Sequence, residues 1–78
     1  MSKKKKLLEK MRRNPKNIRF EELETLLLAY GFEKRAGKGS HAIYKIRGKR
    51  PLTIPRKRPF LKPIYIKLAL QMIEQLEG

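Results

Sequence analysis

The residues with the clearest capacity for chemistry stand together in one short segment, Gly37-Lys-Gly-Ser-His41. The two glycines let the backbone come close to a ligand, the lysine brings a positive charge and the serine brings a hydroxyl group. His41 is the only histidine of the chain, and an imidazole can take up or give a proton under cellular conditions. These residue types predict a catalytic role for His41. The binding residues predicted in this segment are Lys38, Gly39 and Ser40.

The same segment also admits plainer interpretations. A histidine on a half-buried strand is often an ordinary surface residue, and a Gly-Lys-Gly loop suits any hairpin. The spacing of a Walker phosphate-binding loop is absent, and no acid lies near enough in sequence to suggest a Ser-His-Asp relay. No paired histidines or acids have metal-ligand spacing, and the chain has no cysteine. We therefore predict neither a metal nor another cofactor.

Charge is distributed very unevenly along the chain. Lysine and arginine number 21 against 7 acids, which gives a formal net charge of +14, and no acid lies between Glu33 and Glu74. Such a segment repels itself unless a polyanion neutralises it, and the phosphate backbone of RNA is the partner that we predict. Besides Lys38, the cations predicted to contact RNA are Lys45, Arg56, Lys57, Arg58 and Lys62.

A basic chain of this kind could also serve solubility or bind a membrane surface, and both roles carry less weight. A solvated basic surface would serve solubility alone, and binding to a membrane surface would need a long basic helix with aromatic residues on its apolar side. No apolar run has the length of a bilayer span, and no signal-peptide core follows the basic N-terminus. Because the lack of cysteine also fits a reducing compartment, we expect a cytoplasmic protein without a membrane partner.

Hydrophobic spacing predicts three helices. The first spans residues 3–13 and ends at Asn14-Pro15, because a residue before proline avoids the helical region. The second begins near Phe20 and ends at Gly31, which tolerates the left-handed backbone found at helix C-termini. The third begins at Pro63. Its predicted apolar side comprises Tyr65, Ile66, Leu68, Ala69, Leu70, Met72, Ile73 and Leu76.

Three strands are predicted between the second and third helices, over residues 32–35, 40–46 and 51–54. Alternation along the central strand places His41 and Lys45 on the face opposite to Tyr44. Spacing also predicts core positions for Tyr30, Tyr44 and Tyr65, and it predicts none for Phe60. A proline-stiffened loop over residues 55–63 follows the third strand.

The predicted fold class is α+β, with a three-stranded antiparallel sheet and two helices on one face. This α-β-β-β-α order is that of a double-stranded-RNA-binding domain, and a short extra N-terminal helix precedes it. A chain of 78 residues makes a single domain, 1–78. We divide it into a basic N-terminal helix and linker (1–16) and a core (17–78).

Several stretches of the core form a recognisable set. They are Arg-Phe-Glu-Glu-Leu (19–23), Tyr-Gly-Phe (30–32), Gly-Lys-Gly-Ser-His (37–41), Leu-Thr-Ile-Pro (52–55) and the closing helix from Pro63 to Leu76. The Gly-Ser-His strand start with the later Ile-Pro is the most specific part. Through these stretches, residues 18–77 resemble the HicA family of small mRNA interferase toxins of type II toxin–antitoxin systems.

The resemblance implies a double-stranded-RNA-binding-like fold in which the histidine of Gly-Ser-His, here His41, is catalytic. Many members have a second histidine where this chain has Ala42, and another in the loop that here holds Arg56 and Lys57. The resemblance also implies cleavage of mRNA and a HicB-like antitoxin that masks His41. We expect metal-independent attack by the RNA 2′-hydroxyl, with His41 as general base.

Two other functions remain open on the sequence alone. A non-catalytic RNA-binding module would share the charge and the fold, and differ only in whether His41 matters. A protein that binds an acidic protein partner and does not bind RNA would have only the basic charge in common with a ribonuclease. Incubation with RNA in EDTA separates the first from a ribonuclease, and the salt dependence of RNA binding tests the second.

Overall fold

The described part of the chain forms three helices and one three-stranded sheet. A computed structural model describes residues 3–37, 39–56 and 59–77, with the backbone alone for Ala36 and Glu77. In chain order the elements are α1 (Lys3–Arg13), α2 (Phe20–Ala29), β1 (Glu33–Ala36), β2 (His41–Lys45), β3 (Leu52–Pro55) and α3 (Pro63–Glu77). The predicted α+β class is confirmed, whereas the finer likeness to a double-stranded-RNA-binding domain stays a prediction.

The sheet has the order β1-β2-β3, and both strand pairs are antiparallel. The strands differ from the prediction by about one residue at their ends. β1 begins after Phe32, which is buried in the core. β3 begins after Pro51, because proline has no N–H to donate to a neighbouring strand. Pro51 predicts either a strand start or an edge strand, and β3 is an edge strand that begins one residue later.

Local chemistry sets both ends of α2. At the first turn, the backbone N–H of Arg19 donates to a carboxylate oxygen of Glu22 at 3.1 Å, which satisfies a free donor of the helix start. At the other end Gly31 has a φ of +94°, and the N–H of Phe32 donates to the carbonyl of Leu27 at 3.1 Å. This is the Schellman pattern, and it turns the chain directly into β1.

One core lies between the helices and one face of the sheet. Strand pairing sets Tyr44 opposite Leu52 and Ala42 opposite Ile54, and all four are buried. The buried side chains of α2 and α3 are Leu23, Leu26, Leu27, Ile66, Ala69 and Ile73. The predicted apolar side of α3 was too wide, since Leu68 and Leu76 are exposed. The fully buried residues follow the i, i+3, i+7 face of that helix, and Tyr65, Leu70 and Met72 are partly buried against the core, as predicted.

α1 belongs to this core although it precedes the main body of the chain. Leu8 and Met11 are 6% and 0% exposed, and the helix lies against both α2 and α3. An ion pair also joins Lys10 to Glu22 in the first turn of α2. The N-terminal helix is therefore packed onto the body that carries the sheet.

Candidate active site

His41 is the first residue of β2, and its side chain is exposed. The register sets it opposite Pro55 at the end of β3. Because side chains alternate along a strand, His41 points away from the face that buries Ala42 and Tyr44. We call this other side the open face. By register and alternation it carries Glu33, Arg35, His41, Ile43, Lys45 and Thr53.

Gly37 lies very close to the backbone of His41. A Cβ atom at position 37 would come within 2.7 Å of the His41 carbonyl oxygen and 3.4 Å of Cγ1 of Ile43. The first distance is shorter than any ordinary contact with a backbone atom, so a side chain at position 37 would displace His41. The sequence indicated only that glycine suits a turn here. The structural reason is steric, and it concerns the position of the His41 backbone.

Arg56 joins the end of β3 to the start of β2. Its backbone N–H donates to the carbonyl oxygen of Ser40 at 2.7 Å, which fixes the chain on the other side of His41. Its guanidinium lies over the ring of Phe20, 5.9 Å from the ring centre. The predicted RNA-contacting side chain is therefore next to His41 through its backbone but turned toward the start of α2.

Arg35 is a cation near His41 that the sequence analysis did not select. It pairs with Ile43 in the β1–β2 register, which makes it the diagonal neighbour of His41 on the open face, at about 7–8 Å. It is 62% exposed and lies 3.7 Å from the Glu33 carboxylate. Period-two alternation around a turn centred on Gly39 is the signal that would have found it.

Lys45 shares the open face with His41 but stands farther away. Four residues along a strand correspond to about 13 Å, and Glu33 is its partner across the β1–β2 pair. At that distance the ammonium group of Lys45 does not contact the same group as the imidazole of His41, and its predicted contact with RNA stays a prediction.

The other predicted binding residues divide into two groups. Gly39 and Ser40 are exposed in the turn that leads to His41. Lys62 is exposed just before α3, and no described contact brings it to His41. Lys38, Lys57 and Arg58 lie outside the residues that the structure describes.

Tyr44, on the covered face of the same strand, is fully buried, as its spacing predicts. Its ring centre lies 6.4 Å from that of Phe20. In the described part of the chain no group meets the geometry of a hydrogen bond with its hydroxyl, and the acceptor that acts on it is the Glu24 carboxylate. Burial, and then the negative charge of Glu24, raise the pKa of this phenol above its ordinary value.

Two further features bear on the class of site. Among residues 3–37, 39–56 and 59–77, no group of three or more histidines, cysteines or acids is arranged to hold a metal ion. Within the same ranges, no helix combines the length and the apolar character needed to span a membrane.

Comparison with known proteins assigns the family. A family model described as "HicA toxin of bacterial toxin-antitoxin" matches residues 20–77, which include every strand, α2, α3 and His41. No curated protein and no solved structure shows a significant match. Since the family match covers well over half of the chain, this protein belongs to the HicA toxins of bacterial toxin–antitoxin systems, which in general are ribonucleases held in check by an antitoxin.

Proposed function

We propose that this toxin is a metal-independent endoribonuclease of mRNA in which His41 is the general base. The observation that carries the proposal is an exposed imidazole at the start of a paired strand, with Gly37 against its backbone on one side and Arg56 bonded to Ser40 on the other. These contacts fix the backbone that carries the imidazole, and the exposed side chain is open to a flexible RNA strand.

The RNA and His41 supply the nucleophile and the proton transfers of the reaction. His41 removes the proton of a 2′-hydroxyl, and the 2′-oxygen attacks the adjacent phosphorus. The bond from phosphorus to the 5′-oxygen of the next nucleotide breaks, and the imidazolium returns the proton to that oxygen. The products are a 2′,3′-cyclic phosphate and a 5′-hydroxyl.

Arg35 supplies the charge that this reaction requires at the phosphate. As the diagonal neighbour of His41 on the open face, its guanidinium can donate to the non-bridging oxygens, on which negative charge grows as the 2′-oxygen attacks. Its exposed pair with Glu33 is weak enough to be exchanged for a phosphate.

A substrate-side experiment tests the mechanism. An RNA oligonucleotide that is cut at one position is remade with a single 2′-deoxynucleotide on the 5′ side of that position, and both are incubated in EDTA. We expect the unmodified strand to be cut to a cyclic phosphate and the modified strand to stay intact. Cutting at the deoxynucleotide would rule out 2′-hydroxyl attack. Binding of the unmodified strand without any cutting would favour the RNA-binding module.

We further propose that the antitoxin is HicB-like and covers His41. A chain with a formal charge of +14 favours fast association with an acidic protein. Contact with the 37–41 turn and with the loop after β3 would block the imidazole and the neighbouring cations together. Co-expression with the adjacent gene, followed by purification, should yield a complex that no longer cuts RNA. A complex that cuts at the full rate would mean that the antitoxin does not mask this site.

A further inference from the structure

A second cationic surface lies outside the candidate active site, on α1 and the segment after it. Lys6, Arg13 and Lys16 are exposed, and none of the three pairs with a carboxylate in the described part of the chain. The family match begins at residue 20, so these cations precede it. Any surface that these cations form is therefore separate from the residues that match the family model.

The packing of α1 argues against a membrane as the partner of this surface. A helix that lies in a membrane interface needs an apolar side to insert. The apolar side of α1 is already used, because Leu8 and Met11 are buried against the other helices. The exposed side of α1 is polar and charged, and the helix is packed onto the rest of the fold.

A broad cleft joins this segment to the loop after β3. The cleft has a volume of about 1200 Å³, and Lys10, Arg19 and Phe60 are among the residues that line it. The backbone N–H of Leu61 donates to the carbonyl oxygen of Ile18 at 2.9 Å, so the two walls are tied together. Phe60 is 40% exposed, which leaves an aromatic surface available in a cleft of mixed charge, since Glu21 and Glu22 also line it and Lys10 is paired with Glu22.

The cleft is connected to the candidate active site through Arg56. The Arg56 backbone is bonded to Ser40, next to His41, and its guanidinium lies over Phe20. Phe20 directly follows Arg19 of the cleft. Arg56 and Phe20 thus link the segment next to His41 to the part of the cleft that Arg19 lines.

We propose that the N-terminal surface (Lys6, Arg13, Lys16 and Arg19) and Phe60 form a second RNA-contact surface, which holds a single strand on one side of the bond that His41 cuts. The cations neutralise backbone phosphates, and Phe60 stacks on an unpaired base. The inference rests on RNA as the substrate of the proposed function. It adds the surface that captures the strand, and it gives α1 a role beyond packing.

Binding measurements on matched variants test the proposal. All chains carry His41→Ala so that the RNA stays intact, and the probe is a single-stranded oligonucleotide titrated at several salt concentrations. The test variant is Lys6→Gln/Arg13→Gln/Lys16→Gln. The control, Arg47→Gln/Arg50→Gln/Lys67→Gln, removes the same charge from exposed positions in the β2–β3 turn and on α3.

We expect the test variant to bind more weakly and to lower the slope of log K against log salt by about 2, since each phosphate contact on a single strand contributes about 0.7. The control should keep the parent slope. Equal losses in both variants would reduce the effect to net charge and overturn the proposal. An unchanged slope in the test variant would also overturn the proposal. If that variant keeps its RNA binding but loses binding to polyglutamate, a model acidic chain, the partner of this surface is an acidic protein.

A second variant tests the cleft. Phe60→Ala should weaken binding about fivefold or more at every salt concentration without changing the slope, because stacking does not release counterions. Binding as tight as that of the parent chain would remove Phe60 from the surface. These readouts need no cleavage, so the contact surface can fail while the ribonuclease proposal stands, and the reverse also holds.

Discussion

The helix layer and the open face of the sheet use charge in different ways. In the helix layer, cations meet carboxylates across elements: Arg12 lies 3.9 Å from Glu74 of α3, and Lys34 lies 2.8 Å from Glu24 of α2. On the open face the carboxylate among the described residues is Glu33, at the end of β1. Two cations of this face, Arg35 and Lys45, share that one carboxylate, since Arg35 lies 3.7 Å from it and Lys45 is its partner across the strands.

Glu22 illustrates what charge does in the helix layer. Burial acts to raise the pKa of its carboxyl group, but the ammonium of Lys10 and the backbone N–H of Arg19 together lower it. Because the folded state lowers this pKa, the carboxylate stabilises the fold at pH values above the ordinary pKa range of a carboxyl group. This contribution is lost as the pH falls. Such partly exposed pairs are worth at most about 1 kcal/mol, so they orient α1 rather than hold it. The paired charges of the helix layer thus serve the fold, whereas Lys6, Arg13 and Lys16 of the same layer, like the cations of the open face, are proposed to serve RNA.

The largest expected effect concerns the helix layer. Met11→Ala removes a side chain that is 0% exposed and should lower the free energy of unfolding by about 2–5 kcal/mol. Glu9→Ala, at an exposed position of the same helix, should change it by no more than about 0.5 kcal/mol. Denaturant titration measures both. Equal stabilities would mean that α1 is not part of the core.

The next largest effect distinguishes two glycines in the connections between strands, Gly37 after β1 and Gly48 between β2 and β3. Gly37→Ala sets a methyl group against the His41 carbonyl oxygen and should cost about 1–3 kcal/mol in stability, together with a large part of the cleavage rate. Gly48→Ala strains a residue with φ +80° that has no atoms near its Cβ position. It should cost stability but leave cleavage intact. If both variants cut RNA at the same rate under folding conditions, Gly37 does not position His41.

A smaller effect is expected at the phosphate. Arg35→Gln should lower kcat/KM by about five- to tenfold, the loss of one partly exposed charge-assisted contact, and Arg35→Lys should recover part of it. Unfolding temperatures should stay equal, because the side chain is exposed. Activity of Arg35→Gln equal to that of the wild type would exclude this residue from the phosphate site.

The smallest effect is expected on the covered face of β2. Tyr44→Phe removes a buried hydroxyl without a hydrogen-bond partner, so stability at neutral pH should change by less than about 1 kcal/mol. Because the folded chain raises the pKa of Tyr44, the folded state favours the neutral phenol. This contribution to the free energy of unfolding is fully present below pH about 10 and is lost as the pH rises beyond that. Alkaline unfolding should therefore be less steep for the variant. Identical alkaline profiles would contradict a raised pKa.

The fold was largely predictable because its signals are local. Alternation along β2 separated His41 from Tyr44, and Gly31 and Pro63 marked helix ends that the structure confirms. The docking of α1 was not predictable, because Leu8 and Met11 form a narrow apolar strip whose partners are distant in sequence.

The candidate site was predictable in its centre and less so around it. His41 and its turn follow from residue types, whereas the proximity of Arg35 depends on the strand register. Likewise, β3 runs through Pro55, one residue farther than predicted, and the Arg56 guanidinium lies over Phe20. No local pattern specifies the direction of that side chain, and alternation gives the register only once the turn is centred on Gly39.

The central claim is that the open face works on RNA through His41, and one rate comparison tests it most directly. Single-turnover cleavage of one RNA in EDTA is measured for the wild type, for His41→Ala and for Thr53→Ala, an exposed change on the same face, with unfolding temperatures checked for all three. Loss of the general base should slow cleavage by about a hundred- to ten-thousandfold, while Thr53→Ala keeps the wild-type rate. A His41→Ala chain that is folded and cuts RNA as fast as the wild type would contradict the account.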